Sequence, residues 1–358
     1  MRLLFLATDF AAQYRALRCV AALGAEVYVA GSGPARSLAL SRYCRRFLPF
    51  AFEGAGPEAA AELQTIAADV QADMLVPGDL PATQFLARAR PYLTTPVFPL
   101  SDSAAIAALG TKDCFAETCR RLNVRHPRVA IFRDGSELLA ALQSGRISLP
   151  AMLKPINRAG GLGVTRIDQF NAEQQTAKLA YAPILVQDFV EGADHCISLF
   201  CRDGKVLKQV VYAHSHGAFR FFENAALARV AAHLARELNL SGLISFDARI
   251  DSAGDIWMIE CNPRFTFNMD VALVAGVNFA DWNSPFVPQA ALTYEEIRVP
   301  DALLRGLLGF RKPRAADWKM LLHWLKDPLV FALVAIGYQQ RWRLPLFEKV
   351  MTSGKCAA

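Results

Sequence analysis

The sequence has 358 residues, 53% of them hydrophobic, so it is long enough for two or three domains with sizeable cores. No run of 18 apolar residues occurs, and the apolar run before Asp9 is too short for a secretory signal, so we expect a cytoplasmic protein without a membrane-spanning helix. The net charge is +6, but residues 298–358 hold 11 Lys and Arg against 4 Asp and Glu, which leaves a nearly neutral body. Such a body, with no recognition motif, disfavours nucleic-acid binding.

Residues 1–100 alternate strand and helix patterns, which predicts a small parallel sheet with helices on both faces. The predicted elements are strand Leu3–Ala7, helix Ala11–Leu23, strand Glu26–Ala30, helix Pro57–Val70 and strand Met74–Pro77. Asp9 and Asp79 follow two of these strands, at the sheet edge where open α/β sheets bind ligands. Both are also ordinary turn formers, and both interpretations stay open.

A glycine-rich loop, Asn157–Gly163, joins the predicted strands Ala151–Lys154 and Val164–Ile167. It is neither a dinucleotide fingerprint nor a Walker A loop, because both of those run from a strand into a helix. A glycine loop between two strands can fold its backbone N–H groups over phosphates, as in protein kinases. Lys154 lies on the strand that enters the loop, so its ammonium can point at the same phosphates.

The segments Gly242–Ile250 and Asp255–Arg264 predict a hairpin that turns at Ala253–Gly254 and places Asp247 opposite Glu260. Strand alternation predicts a buried face with Ile244, Phe246, Ala248, Ile250, Trp257, Ile259 and Cys261. The opposite face carries Ser245, Asp247, Arg249, Met258, Glu260 and Asn262. Two carboxylates and an amide this close together favour a hard divalent cation with oxygen ligands. A solvated outer face is the alternative.

The chain carries five motifs in this order: Lys112, Lys154 with Arg158–Val164, Gln187–Asp194, Asp247 and Glu260–Arg264. This ordered set resembles the motifs of the ATP-grasp superfamily. The resemblance covers about residues 100–282 and implies an α/β fold of the α+β ATP-grasp type. A Rossmann-like pre-ATP-grasp domain would occupy residues 1–100. The ATP-grasp domain would span 101–292, with a nucleotide lobe at about 112–186 and a metal-binding lobe at about 187–282, before a basic helical C-terminal region at 293–358.

The resemblance also implies roles for the matching residues. Those implied to bind ATP are Lys112, Lys154, Gly160, Gly161, Gly163, Gln187, Phe189, Val190 and Asp194. The lysines would contact phosphates. The glycines would form a flap, the part of the Asn157–Gly163 loop that folds over the phosphates. Gln187, Phe189 and Val190 would contact or flank the adenine, and Asp194 would hold the ribose. The family commonly has Glu at the positions of Gln187 and Asp194.

The resemblance implies a metal site and a catalytic pair as well. Asp247, Glu260 and Asn262 would bind two Mg²⁺ ions, with Mn²⁺ as a substitute, and Glu260 would bridge them. Arg264 and Lys154 would be the catalytic residues, with Arg264 steadying the transferring phosphoryl group or the substrate carboxylate. After Arg264 the chain continues as Phe265–Asp270, where many relatives have small residues, which predicts a tighter or more apolar acceptor pocket.

The activity implied is that of a carboxylate–amine ligase. ATP would phosphorylate a small-molecule carboxylate, and an amine would attack the acyl phosphate to give an amide, ADP and phosphate. The alternatives are another ATP-grasp chemistry, such as a carboxylase or thiol ligase, or an ATP-binding regulatory protein without turnover. The presence of both lysines and all three metal ligands disfavours the last. The oligomeric state stays open, with a homodimer as one form.

Two further segments lie near or beyond the predicted site. The stretch Tyr212–Arg220 is expected to line the acceptor pocket, and its His214 and His216 lack a third ligand for a metal. In the C-terminal region, apolar residues follow helical spacing: Trp318, Leu321, Leu322 and Leu325. Two interpretations of this region, 298–358, stay open. We favour a helix pair docked on the body; the alternative is a peripheral contact with the inner face of an anionic membrane.

Overall fold

The structure, a computed structural model, describes residues 1–54, 56–156, 161–283, 292, 296–300, 302–303, 307 and 312–335. Its strands, in chain order, are β1 (Arg2–Ala7), β2 (Glu26–Gly31), β3 (Phe47–Pro49), β4 (Met74–Pro77), β5 (Val129–Phe132), β6 (Ala151–Pro155), β7 (Thr165–Ile167), β8 (Ile184–Asp188), β9 (Ala193–Arg202), β10 (Lys205–Ser215), β11 (Ala218–Phe221), β12 (Gly242–Ile250), β13 (Ile256–Asn262) and β14 (Glu296–Arg298). Its α-helices are α1 (Ala11–Ala21), α2 (Pro57–Asp69), α3 (Leu80–Ala89), α4 (Ser103–Gly110), α5 (Lys112–Arg121), α6 (Gly135–Gln143), α7 (Ala172–Ala177), α8 (Ala225–Glu237), α9 (Met269–Ala275), α10 (Ala315–Leu325) and α11 (Pro328–Ala335).

The chain forms two compact units. The first contains Met1–Ile106, Cys196–Ser245 and the described residues from Asn262 onward. The second contains Ala107–His195 and Phe246–Cys261.

The first unit contains the parallel sheet that the alternating pattern predicts, in the order β3-β2-β1-β4. In its register, Leu3 of β1 pairs with Val27 of β2 and with Met74 of β4. Helices cover both faces of β1, so its side chains are buried on either side, as expected for a central parallel strand. Phe5 packs in one core cluster with α1, and Leu4 packs in another with α2 and α3.

Asp79 caps α3 at the end of β4. Its carboxylate accepts hydrogen bonds from the backbone N–H of Ala82 at 2.9 Å and of Thr8 at 2.6 Å, and a third from the Thr8 hydroxyl at 2.9 Å. The side chain thereby satisfies an open helix N–H and joins the ends of β1 and β4. Burial raises its pKa. These contacts agree with the turn-former interpretation of Asp79.

Two further sheets complete the described strands. One is six-stranded, in the order β13-β12-β9-β10-β11-β14, and β9 and β12 each have residues in both units. The other lies in the second unit, in the order β5-β8-β6-β7, with antiparallel pairing of β6 to β7 and to β8. The glycine loop therefore lies between two strands, as predicted, and these strands, β6 and β7, pair antiparallel.

The C-terminal helices α10 and α11 pack within the first unit. Met320, Trp324 and Val330 belong to the same core cluster as Tyr14 of α1. Asp327, between the two helices, accepts a hydrogen bond from the Ser41 hydroxyl at 2.5 Å. The described part of the C-terminal region is therefore docked, as in the interpretation that we favoured.

The docked face of α10 is not the apolar stripe that the sequence spacing suggested. Of that stripe, Trp318 and Leu322 are 46% and 61% exposed, and Leu325 is also exposed. The helix has a second apolar row through Met320 and Trp324, and this row is buried. Spacing alone does not show which of two rows meets the body. No helix among the described residues is long and apolar enough to cross a membrane.

Candidate functional site

Lys154 and Gln187 form the buried centre of the candidate site in the second unit. Lys154 lies on β6 and Gln187 on the adjacent strand β8. The Lys154 ammonium donates a hydrogen bond of 2.6 Å to Gln187 Oε1. Both side chains are buried, with 7% and 3% exposure. A lysine this buried is uncommon unless a partner satisfies its charge, so its position points to a function.

A second lysine joins this centre from the start of α5. The Lys112 ammonium lies 3.4 Å from Glu260 Oε2, and the lysine side chain is only 6% exposed. The pKa of Lys154 is lowered to about 8, mainly by burial and secondly by the positive charge of Lys112. The carboxylates of Glu260, Asp247 and Asp194 oppose this shift. The second unit thus brings together both predicted lysines and both predicted metal-binding carboxylates.

This donor set fits a phosphate chain with a divalent cation. Two buried ammonium groups supply positive charge for phosphate oxygens, and two carboxylates supply the hard oxygen ligands that Mg²⁺ prefers. Among the residues that the structure describes, no group of three or more His, Cys, Asp or Glu side chains forms a metal site. The predicted metal set differs from such a group, because its third member is the amide of Asn262.

Asn262 and Arg264 interact within the first unit. Asn262 is the last residue of β13, and its Oδ1 accepts a hydrogen bond of 2.8 Å from Arg264 Nη2. Arg264 Nη1 donates to the Phe265 carbonyl oxygen at 3.1 Å. An amide oxygen has two lone pairs, so Asn262 Oδ1 can accept from Arg264 and still coordinate a cation. Arg264 thereby orients the predicted ligand.

The described part of the glycine flap has the backbone that glycine permits. Gly161 and Gly163 have φ of 71° and 77°, in the left-handed region that other residues rarely adopt. The Tyr181 hydroxyl donates a 2.8 Å hydrogen bond to the Gly163 carbonyl, which anchors the end of the flap. Gly160 lies outside the described residues.

Phe189 lies near two arginines to which the sequence assigned no role. The guanidinium carbons of Arg166 and Arg249 lie 4.2 Å and 4.9 Å from its ring centroid. Arg249 Nε also pairs with Asp194 Oδ1 at 3.1 Å. Arg249 lies on the predicted polar face of the hairpin, and Arg166 lies on the strand after the flap. The sequence shows that both arginines lie on strands of the predicted site, but it does not show that they meet the same aromatic ring.

The bend after β8 is held closely against β12. Gly192 has a φ of 144°, and a Cβ there would lie 2.1 Å from the Ile250 carbonyl oxygen. Arg249 Nη2 donates a 2.5 Å hydrogen bond to the Gly192 carbonyl. A cavity of about 1000 Å³ in the second unit is lined by this bend, including Phe189 and Val190. Its lining includes none of Lys112, Lys154, Asp247 and Glu260.

The hairpin differs in part from its predicted faces. Phe246 and Ala248 are buried and Asp247 is half-buried, as alternation predicts. Met258, predicted on the polar face, is 1% exposed, whereas Trp257 is half-buried. The Trp257 indole N–H donates to Asp251 Oδ2 at 2.8 Å, which holds the ring beside the turn. The hydrogen bond of its indole N–H thus accounts for the partly exposed position of Trp257.

His214 and His216, the two histidines of the predicted acceptor segment, lie in different environments at the end of β10. His214 stacks on Phe219 of β11 with ring centroids 5.6 Å apart, and meets the edge of Phe267 at 5.9 Å. His216 lies beyond the strand with a φ of 50°, and its ring interacts with the Ser215 hydroxyl. His214 therefore contributes to an aromatic surface beside the segment that follows Arg264.

One family model matches part of the sequence. Residues 180–299 match the family model described as "ATP-grasp in the biosynthetic pathway with Ter operon". No curated protein matches the sequence.

Solved structures with the same fold include several ATP-grasp enzymes. The chain resembles an L-amino acid ligase from Bacillus licheniformis, with a TM-score of 0.58 and 19% identity over 82% of this chain and 74% of that one. It resembles a carboxyaminoimidazole ribonucleotide synthase from Aspergillus clavatus complexed with ATP, with a TM-score of 0.61 and 14% identity over 81% and 78%. A biotin carboxylase complex from Campylobacter jejuni gives a TM-score of 0.59 and 15% identity over 81% and 73%. The chain therefore has the ATP-grasp fold that its motifs predict.

Proposed function

We propose that this ATP-grasp chain is an ATP-dependent ligase that activates a carboxylate as an acyl phosphate for attack by an amine. The observation that carries the proposal is that two buried lysines, Lys112 and Lys154, lie beside the half-buried carboxylates of Asp247 and Glu260 in the second unit. A protein that needs only a stable core does not require two buried lysines beside two carboxylates, because such groups are costly to desolvate. The same set is well suited to phosphoryl transfer, which depends on positioning and charge neutralisation.

The lysines are assigned to the substrate ATP, and the carboxylates with Asn262 to Mg²⁺. Bound Mg²⁺ neutralises phosphate charge and orients the oxygens that react. Lys154 and Lys112 would hold phosphate oxygens, and Gly161 and Gly163 would donate backbone N–H groups from the flap. Gln187, Phe189 and Val190 would contact or flank the adenine. Asp194 would hold the ribose while Arg249 restrains its carboxylate.

Arg264 is assigned to the reacting carboxylate or the transferring phosphoryl group. Its Nη1 and Nη2 are engaged by Phe265 and Asn262, so the guanidinium is held in one orientation. A fixed guanidinium can stabilise charge that develops on oxygen without reorganising during the reaction. Loss of one such preorganised donor typically lowers the rate by about 10²–10³-fold.

The test separates this proposal from the other ATP-grasp chemistries. Purified protein is incubated with Mg-ATP and a panel of amino acids, peptides and amino sugars, and ADP release is measured. Amino acids come first because the amino acid ligase has the same fold. Hydroxylamine replaces the amine in a second arm, and a hydroxamate would report the acyl phosphate. Bicarbonate-dependent ADP release without any amine would instead indicate a carboxylase, and thioester formation a thiol ligase.

Glu260→Gln tests the site within the same assay. The change keeps the shape of the side chain but removes the charge that pairs with Lys112. We expect turnover to fall by at least about 10²-fold, while Glu173→Gln, at an exposed position on α7, keeps the parent rate. Parent-rate turnover by Glu260→Gln would contradict the assignment.

A peripheral membrane contact through residues 298–358 is a second proposal, supported by the exposed stripe on α10. Trp318, Leu322 and Leu325 are exposed there, and Lys319 and Lys326 lie on the same helix or at its end. Co-sedimentation with anionic vesicles at low salt tests it, with Leu322→Ser compared with the parent chain. Equal partitioning of both would contradict the membrane contact.

A further inference from the structure

The cavity in the second unit is not used by the proposed function, although the bend after β8 forms part of its wall. Its volume is about 1000 Å³, which is ample for a small molecule. The side chains that give it chemical character are His126, Arg128, Asp188, Glu191, Asp251 and Trp257. We call this space the rear cavity.

Strand alternation in β8 separates the rear cavity from Lys154. Gln187 accepts the hydrogen bond of Lys154 on one face of the four-stranded sheet. The next residue, Asp188, lies opposite Ala151 of β6 and projects from the other face. Ala151 belongs to the buried cluster on that face. Asp188, which lines the cavity, therefore faces away from Lys154.

The hairpin shows the same separation. Arg249 directs its guanidinium to Asp194 and to the ring of Phe189. Ile250 follows Arg249 on β12, so its side chain lies on the opposite face, and it lines the rear cavity. The bend at Phe189–Gly192 is therefore shared by two spaces, the proposed adenine position on one side and the rear cavity on the other.

The lining of the rear cavity has more negative than positive charge. Arg128 neutralises Asp188, because its Nε lies 2.6 Å from that carboxylate. Within the described part of the chain, neither Glu191 nor Asp251 forms an ion pair. Glu191 is exposed and Asp251 is half-buried. Two carboxylates of the lining are thus without a paired cation.

Trp257 supplies an aromatic wall beside one of these carboxylates. Its indole N–H donates to Asp251 Oδ2 at 2.8 Å and lowers the pKa of that carboxyl, which is therefore ionised at neutral pH. The guanidinium carbon of Arg125 lies 5.2 Å from the ring centroid, but this arginine pairs with Asp255. A fixed indole next to negative charge favours a flat cation.

The hydrogen-bonding groups that the rear cavity offers are mainly acceptors. Arg128 Nε and Nη2 already donate to Asp188 and to the Ser148 hydroxyl. Nδ1 of His126 donates to the Pro127 carbonyl at 2.9 Å, so the neutral ring presents Nε2 as an acceptor. A carboxylate or phosphate ligand would be repelled here, whereas a cation with N–H donors would meet complementary groups.

We propose that the rear cavity binds a small organic cation while the nucleotide site is free or occupied. An amine or guanidinium group lies beside Glu191, and a flat body lies against Trp257. The wall is preformed, because Arg249 Nη2 holds the Gly192 carbonyl at 2.5 Å. The proposal depends on charge and shape in the second unit and requires no catalytic activity.

Direct binding to the full-length protein tests the rear cavity. Benzylamine and agmatine are titrated at constant ionic strength, with benzyl alcohol as the neutral counterpart of benzylamine. Calorimetry and tryptophan fluorescence follow the binding. We expect saturable binding of at least one cation, and the two cations distinguish an amine from a guanidinium ligand. The absence of saturable binding for both, or equally tight binding of benzyl alcohol, would overturn the proposal.

Variants localise the binding. Glu191→Gln should weaken it about two- to fivefold, as expected for one exposed charge pair, and Glu173→Gln on α7 should leave it unchanged. Ser252→Arg adds bulk and positive charge at an exposed position of the lining and should abolish binding, whereas Ala61→Arg, exposed on α2, should not. Trp257→Phe should remove the fluorescence response while calorimetry still detects the cation. Unchanged binding by both Glu191→Gln and Ser252→Arg would refute the site.

A titration with saturating Mg²⁺ and a non-hydrolysable ATP analogue separates the rear cavity from the nucleotide site. We expect the cation and the analogue to bind together. Displacement of the cation that keeps rising with the analogue concentration would assign it to the nucleotide site and overturn the proposal. Glu191-dependent cation binding in a protein that does not bind the analogue would support the rear cavity and refute the proposed function.

Discussion

In the protein without nucleotide, Lys154 should make the free energy of unfolding rise between pH 8 and 10.5, and replacing it with methionine should remove this rise. Burial lowers the Lys154 pKa from 10.5 to about 8. Below about pH 8 the amine is charged in both the folded and the unfolded chain, so the folded state bears the full desolvation cost. Between pH 8 and 10.5 the folded amine is neutral while the unfolded amine still binds a proton, so stability rises with pH. The shift corresponds to about 3 kcal/mol in total, at 1.36 kcal/mol per pKa unit.

Lys154→Met removes this cost and also removes the donor to Gln187. An unsatisfied buried acceptor costs about 1–3 kcal/mol, so at pH 7 the variant should be as stable as the parent or up to about 2 kcal/mol more stable. Relative to the parent, it should then lose about 3 kcal/mol between pH 8 and 10.5. Comparison with the parent chain removes the contributions of other groups, such as the Cys119 thiol, whose pKa burial raises to about 12.

The assay is urea denaturation without nucleotide at several pH values from 7 to 10.5, repeated with Mg-ATP at neutral pH. Lys178→Met, at an exposed position after α7, is the control and should follow the parent throughout. Mg-ATP should raise the midpoint of the parent and the control, but hardly that of Lys154→Met. A stability difference that is independent of pH would refute the reasoning. So would a large loss of apo stability combined with normal stabilisation by Mg-ATP, because Lys154 would then be structural.

Two further predictions concern the bend after β8 and the docking of α10. Gly192→Ala should destabilise the protein by more than about 1 kcal/mol, because its Cβ would overlap the Ile250 carbonyl; Gly254→Ala, with a φ of 84° but open space around it, should cost clearly less in the same denaturation assay. His323 has its pKa lowered to about 3 by burial and then by Arg18, so its protonation at acid pH favours unfolding. Between pH 7 and pH 5 this should cost the parent about 2 kcal/mol that His323→Gln does not lose; equal losses in urea denaturation would contradict the buried position of this histidine.

The ordered motifs contained most of the information about the fold. Strand alternation, the glycine loop between two strands and the carboxylates of the hairpin lie in short segments, where local pattern determines local structure. β4 and β12 have the predicted bounds, and β1, β2 and α1 differ from theirs by two residues or fewer. The positions of Lys154 before the loop and of Glu260 on the hairpin followed from the same local patterns.

The tertiary structure decided which distant side chains meet. The contact between Lys112 and Glu260 joins residues 148 positions apart, and no periodic pattern encodes such a pairing. The buried row of α10 was likewise undetermined, because two apolar rows on one helix have similar spacing and only the surface of the first unit selects between them.

The sequence by itself therefore determined the order of the elements and the set of candidate site residues, because each of these follows from local spacing. Only the tertiary structure showed that Arg166 and Arg249 both lie near the ring of Phe189, and that Arg15 and Arg18 share the carboxylate of Asp270. The physical reason is that burial and pairing of charges depend on the packing of elements far apart in the chain. The energetic balance of such a cluster becomes visible only when all of its donors and acceptors are in place.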